Sequence, residues 1–97
     1  MKPTVEFSVI VPVVERFDDV EEVYRLYRQG VEDSGKAHEF IYVIDGDFAE
    51  VLDGLRRLIA AGERIQVIQL ARRFGEATAL TIGIQHASGD VDRKSVV

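Results

Sequence analysis

Phe7-Ser-Val-Ile-Val-Pro-Val-Val14 and Glu39-Phe-Ile-Tyr-Val-Ile-Asp45 are the two stretches on which the fold turns. Both are nearly continuous apolar runs of strand length, rich in β-branched residues. That is the pattern of strands covered on both faces, as in a parallel sheet. Between them, Val20, Val23, Tyr24, Tyr27 and Val31 recur at spacings of three and four, one face of a helix. Asp18 and Asp19 stand where an N-cap or first-turn acid favours its start, and Ser34-Gly35 where it stops. After the second strand, Val51, Leu52, Leu55, Leu58 and Ile59 make another amphipathic helix, closed near Gly62. Ile65 to Leu70 alternates as a third strand. Gly75 opens a third helix, with Ala77, Leu80, Ile84 and Ala87 on one face and Gly89 after it.

The order β-α-β-α-β-α, with short helical crossovers between apolar strands, predicts parallel pairing and a three-layer Rossmann-like α/β domain. Residues 1–97 read as one domain, with 91–97 either a tail or the beginning of a fourth strand at Val96-Val97.

Composition narrows the functional classes. The chain has 97 residues, 46% apolar and 30% charged, an ordinary globular balance. No cysteine is present, which excludes disulfide staples and thiolate metal sites. Seventeen acids against 12 bases give a net charge of −5, which argues against a broad nucleic-acid surface and leaves room for a local basic pocket. No apolar run approaches the ~20 residues of a membrane helix, and the amino terminus makes a poor signal peptide, so a cytoplasmic location is expected, with membrane association through further sequence.

Ligands of open parallel sheets bind beyond the carboxyl ends of the strands. Three segments fall there: Pro12 to Phe17, Asp45 to Phe48 and Ala71 to Gly75. The first two bring Glu15, Asp45 and Asp47; the third brings Arg72 and Arg73 just before a helix start. Acids facing two guanidinium groups suit a ligand with hydrogen-bond donors at one end and phosphates at the other, and a helix N-terminus adds free N–H groups. Taken singly, each piece also has a plain reading. Asp45-Gly46-Asp47 is a turn with a helix cap, Arg72-Arg73 a solvated loop pair, Glu15-Arg16 a surface pair, and His38 and His86 are structural or solvent-facing. A phosphate loop of the GxxxxGK type, a GxGxxG after the first strand and a GxSxG elbow are all absent.

Four stretches in order resemble family 2 glycosyltransferases, most closely the polyprenyl-phosphate sugar transferases of the dolichyl-phosphate mannose synthase kind. Ser8-Val-Ile-Val-Pro-Val-Val-Glu15 is similar to the opening SVIVPVYNE strand. Glu39 to Asp47 is similar to the strand ending in a VDDGS turn. Leu70-Ala-Arg-Arg-Phe-Gly-Glu-Ala-Thr-Ala-Leu80 resembles LxRNxGxxxAL, and Thr81 to Asp90 its xxGxxxAxGD ending.

The resemblance implies the amino-terminal part of a GT-A fold. Pro12, Val14, Glu15, Asp45, Asp47, Arg72 and Arg73 fall on its nucleotide-binding positions, with a nucleotide-diphosphate sugar as partner and no nucleic-acid polymer. It further implies an inverting transfer, and a Mg²⁺ or Mn²⁺ ion held by a DxD motif. No ligands for that ion are identified here: Asp90-Val91-Asp92 spells DxD one strand too early and reads as a polar junction. The sequence departs from the pattern at Val14 for Tyr, Ile44 for the first turn Asp, and Asp47 for Ser. The expectation is therefore a donor-binding portion, inactive in transfer by itself. The alternative is a non-catalytic α/β binding or assembly module that forms a homo-oligomer through an open sheet edge.

Overall fold

Alternate side chains of the first strand serve two separate cores. The computed structural model describes residues 7–14, 19–33, 38–70, 72–86 and 94–96. In it β1 (Phe7–Val13) turns Val9, Val11 and Val13 to one face, where they join Phe40, Tyr42 and Ile44 of β2 (His38–Ile44). That face is covered by α1 (Val20–Glu32) and α2 (Ala49–Ala60), through Val20 and Tyr24 of the first and Val51, Leu55 and Leu58 of the second. The opposite face carries Ile41 and Val43, against which Ala79 of α3 (Glu76–His86) packs, with Ile68 and Leu70 at its border. Helices thus lie on both faces of a parallel sheet, the three-layer arrangement expected from the sequence.

The sheet has four strands in the order β3-β2-β1-β4, with β3 spanning Ile65–Gln69 and β4 Lys94–Val96. Every pairing is parallel. β4 starts at Lys94, ahead of the Val96-Val97 position at which the sequence suggests a fourth strand, and it lies on the side of β1 away from β2. The chain therefore moves outward from β1 through β2 to β3, then returns to the other side of β1. That reversal creates a switch point between β1 and β4, with α1 and α2 on one face and α3 on the other. Pro12 is accommodated because its missing N–H falls on the β4 side, beyond the last β1–β4 pair at Ile10 and Val96.

Two helix readings are corrected. On α3 the buried positions are Ala79 and Gly83, and Ile84 is 40% exposed, so the face is not the one drawn through Ala77, Leu80 and Ile84. The reason is proximity. A Cβ added at Gly83 would lie 2.6 Å from Ile10 Cγ2 and 3.1 Å from Val43 Cγ2, so only the smallest residues fit where this helix meets the sheet. On α2, Ile59 is exposed while Leu58 takes the buried place. Asp19 precedes α1 with φ of +54°, a left-handed conformation that aspartate tolerates better than most residues, and its carbonyl accepts the Val23 N–H at 3.0 Å. Asp18, the Ser34-Gly35 stop, Ala87, Gly89 and Val97 lie outside the described residues.

Arg57 Nε donates to Glu21 Oε1 at 2.7 Å, joining α2 to α1, and Arg28 of α1 pairs with Glu63 ahead of β3. Such exposed pairs are worth little, ~0–1 kcal/mol each. The apolar core carries the packing. Tyr24 meets the Phe40 ring edge-on at 4.8 Å, and the buried Tyr42 hydroxyl finds no hydrogen-bond partner among the described residues.

Three outcomes are expected. Gly83→Val forces branched carbon into Ile10 and Val43 and should destabilise the fold by about 2 kcal/mol or more. Gly30→Ala, at a helical position with nothing within 4 Å, should stabilise it by about 0.5–1 kcal/mol; denaturant midpoints read both. Tyr42→Phe removes an unpaired buried hydroxyl and should raise stability by about 1 kcal/mol in the same experiment.

Alkaline titration supplies a fourth. Burial, and then the Glu63 carboxylate, push the Tyr24 phenol from its ordinary 10 up to about 12, and burial pushes Tyr42 up as well. The folded state then holds these protons more tightly than the unfolded chain. The Tyr24 contribution is complete below pH 10 and is lost as pH rises through about 12, and that of Tyr42 is lost at higher pH still. Denaturation midpoints followed against pH should fall across that window, and Tyr24→Phe should make the fall shallower.

Candidate functional site

The carboxyl ends of β1, β2 and β3 are tied together by side-chain-to-backbone bonds. At the end of β2 the backbone of Asp45 still belongs to the sheet: its N–H donates to the Val13 carbonyl at 2.9 Å, while the neighbouring Ile44 carbonyl accepts the Leu70 N–H at 3.0 Å. The Asp45 side chain is fully buried. Its Oδ1 accepts the Phe74 N–H at 2.7 Å and its Oδ2 accepts the Gly75 N–H at 2.8 Å. Gly75 has φ of +102°, a conformation that side chains rarely adopt; it turns the chain so that two successive N–H groups reach one carboxylate. The Gly75 carbonyl then accepts the Ala79 N–H, starting α3. Asp45 is therefore a capping acid, but for the helix that begins 31 residues later (76 minus 45) rather than for α2. The residue ahead of α2, Phe48, makes no side-chain cap bond.

Above this junction lies a cleft of ≈ 600 Å³ lined by Gly46, Asp47, Phe48, Gln69, Leu70, Arg72 and Arg73. Asp47 and both arginines are exposed to it. The Arg72 guanidinium sits 5.2 Å from the centre of the Phe74 ring, and the Arg73 guanidinium donates to the Val14 carbonyl. The cleft thus has an acid on the β2–α2 side and two cations on the β3–α3 side. Cations so placed can meet a phosphate in fork geometry, and an exposed carboxylate can accept from a sugar or base.

Of the residues singled out from sequence, Asp47, Arg72 and Arg73 share this cleft. Asp45 lies beneath it, and Val14 is linked to it through Arg73. Pro12 and Val14 are half-buried at the end of β1 and do not line it. Glu15 lies outside the described residues. The helix N-terminus expected to offer free N–H groups offers fewer: those of Phe74 and Gly75 are already given to Asp45. Sequence reasoning passed over Phe48, Gln69 and Phe74. Gln69, as the last residue of a strand, could have been found by the same carboxyl-end logic that singled out its neighbours.

No group of three or more His, Asp or Glu side chains among the described residues is placed to hold a metal ion, and Asp90 and Asp92 lie outside them. No described residue is assigned to the divalent ion of the sequence resemblance. Nor is any described helix long and apolar enough to cross a membrane.

A parallel sheet with helices on both faces and a switch point between β1 and β4 defines the class as a doubly wound, Rossmann-like α/β fold. Residues 8–91 match the family described as Glycosyl transferase family 2, and the chain belongs to that family. It is 26% identical over 90 residues to an uncharacterized glycosyltransferase of Bacillus subtilis (strain 168), covering 93% of this chain and 28% of that one. It is 29% identical over 90 residues to the undecaprenyl-phosphate 4-deoxy-4-formamido-L-arabinose transferase of Edwardsiella ictaluri (strain 93-146), covering 91% of this chain and 28% of that protein. A third relative, an uncharacterized glycosyltransferase of Synechocystis, is 28% identical over 87 residues, 90% of this chain and 27% of its own. The chain spans little more than a quarter of the length of these curated relatives.

Proposed function

We propose that this chain supplies the donor-binding part of a glycosyltransferase that moves a sugar from a nucleoside-diphosphate sugar to an acceptor. The observation that carries this reading is the cleft in which Arg72 and Arg73 stand across from Asp47 at the carboxyl edge of the sheet. A diphosphate linked to a sugar bears its negative charge where the guanidinium groups stand, and its hydroxyls suit the carboxylate opposite. Pro12 and Val14, which the family resemblance assigns to base and ribose, stand at the end of β1 outside the lining of the cleft, with Glu15 next to them in sequence.

In the transfer itself, an ionised oxygen of the acceptor phosphate attacks the anomeric carbon. The bond from that carbon to the diphosphate oxygen breaks, and the nucleoside diphosphate leaves with inversion at the sugar. The arginines stabilise the charge that builds on the departing diphosphate. A divalent cation accompanies this reading as an expectation, with no described residue assigned to hold it. The relative from Edwardsiella ictaluri is named for an undecaprenyl-phosphate acceptor, and a polyprenyl-phosphate acceptor at a membrane surface is the acceptor class we favour. No described side chain is assigned to hold the acceptor, and the chain spans 28% of the length of that relative, so the 97 residues are expected to bind donor without turnover.

Titration with nucleoside diphosphates, followed by backbone amide shifts, should perturb residues around Asp47, Gln69 and Arg72. Arg72→Ala and Arg73→Ala should each weaken binding by roughly 10-fold or more, the worth of a charge-assisted contact. Absence of any shift at these positions with either a purine or a pyrimidine nucleotide would sink the donor-site reading.

A further inference from the structure

Asp45 is the acid that the family resemblance would bring to the nucleoside, yet its geometry directs it elsewhere. The residue is wholly inaccessible, and it is not among the residues lining the cleft. Both carboxylate oxygens are occupied at 2.7 and 2.8 Å by consecutive N–H groups of the β3–α3 junction. To reach a ligand the carboxylate would have to release at least one of them, leaving a part-buried donor unpaired. What the bonds accomplish is visible one residue further on. They fix the backbone at Phe74, the Phe74 ring lies beneath the Arg72 guanidinium, and Arg73 bridges to the Val14 carbonyl. The path from Asp45 to the cleft thus runs through a backbone turn and an aromatic ring.

We propose that Asp45 is a positioning residue: its carboxylate clasps the β3–α3 junction to the end of β2 and so aims Arg72 and Arg73 at an anionic ligand, without touching that ligand. The proposal rests on the reading of the cleft as a donor site and adds to it. With the Phe74 and Gly75 N–H groups already committed to Asp45, the contacts it aims are those of the two guanidinium side chains, which suit a polyphosphate.

Asp45→Asn is the discriminating variant, because asparagine keeps the shape but offers one acceptor oxygen and turns an NH₂ group toward the other N–H. Two probes separate the roles, inorganic pyrophosphate and a nucleoside diphosphate. A clasp weakens both by the same factor, about tenfold, and Arg72→Ala in the Asp45→Asn background loses less than Arg72→Ala alone. An acid that contacts the nucleoside would weaken only the nucleotide, and its effect would add to that of Arg72→Ala; either result overturns the proposal. In the same variant, hydrogen exchange at the Phe74 and Gly75 amides should speed up by about tenfold or more.

Should Asp45→Asn fail to fold, the unaltered chain still decides. Saturating nucleoside diphosphate must leave the Phe74 and Gly75 amides as protected as before, whereas loss of their protection would mean that the ligand has recruited the carboxylate. If the unaltered chain binds neither probe, the donor-site reading falls. The clasp then stands or falls on whether those two amides are protected in the free protein.

Discussion

A single buried carboxylate holds the functional edge of this domain together. Asp45 joins residues 29 and 30 positions further along the chain by two short bonds to backbone N–H groups, and its own backbone continues the β1–β2 ladder. Carboxylates that accept from N–H groups are among the stronger hydrogen-bonding arrangements, and burial keeps water from competing. Backbone bonds join the strand ends themselves, and the carboxylate adds the turn ahead of α3 to them. With Asp45 in place, the start of α3, the turn carrying the arginines and the end of β2 share one set of coordinates, and Arg73 extends the frame to β1 through the Val14 carbonyl.

The other fixed quantity is the distance between α3 and the sheet. Ala79 and Gly83 are its buried residues, and Gly83 leaves no room for even a methyl group against Ile10 and Val43. A helix seated this deeply brings its N-terminus down toward the strand ends, where Gly75 can turn two N–H groups onto Asp45. Close helix packing and the Asp45 bonds are therefore one constraint seen from two sides. A bulkier residue at 83 would lift the helix and lengthen the bonds at 74 and 75.

The parts of this architecture that follow local rules were readable in advance. The β-branched runs of β1 and β2 announced strands covered on both faces, and Val20, Tyr24, Val51 and Leu55 marked the helix faces that the structure buries. Residues whose role depends on distant partners were not readable in that way. Ala77, Leu80 and Ile84 make a better apolar stripe than Ala79 and Gly83, but periodicity weighs hydrophobicity, and the contact selects for small size. Asp45-Gly46-Asp47 looked like a cap for the next helix; a sequence window holds no sign that the acid caps α3 instead. β4 escaped clear definition because three residues beginning with lysine carry too little pattern. That Arg72, Arg73 and Asp47 come together in one cleft was readable because the carboxyl-edge rule is topological and needs no knowledge of side-chain partners.

Occupation of the α3 N-terminus by an internal acid also bears on how the domain handles anions. A helix start with free N–H groups binds phosphate through a fixed backbone dipole, which point substitutions barely alter. Here an internal carboxylate takes up the Gly75 donor and that of Phe74 just ahead of the helix, and two exposed guanidinium groups stand beside that start on a chain whose net charge is −5. Long-range steering by these 97 residues opposes an anionic ligand, and in the proposed donor site capture depends on short-range forked contacts at Arg72 and Arg73. Such contacts reward correct aim more than proximity. That is why the buried carboxylate that sets the aim matters as much to this cleft as the arginines that line it.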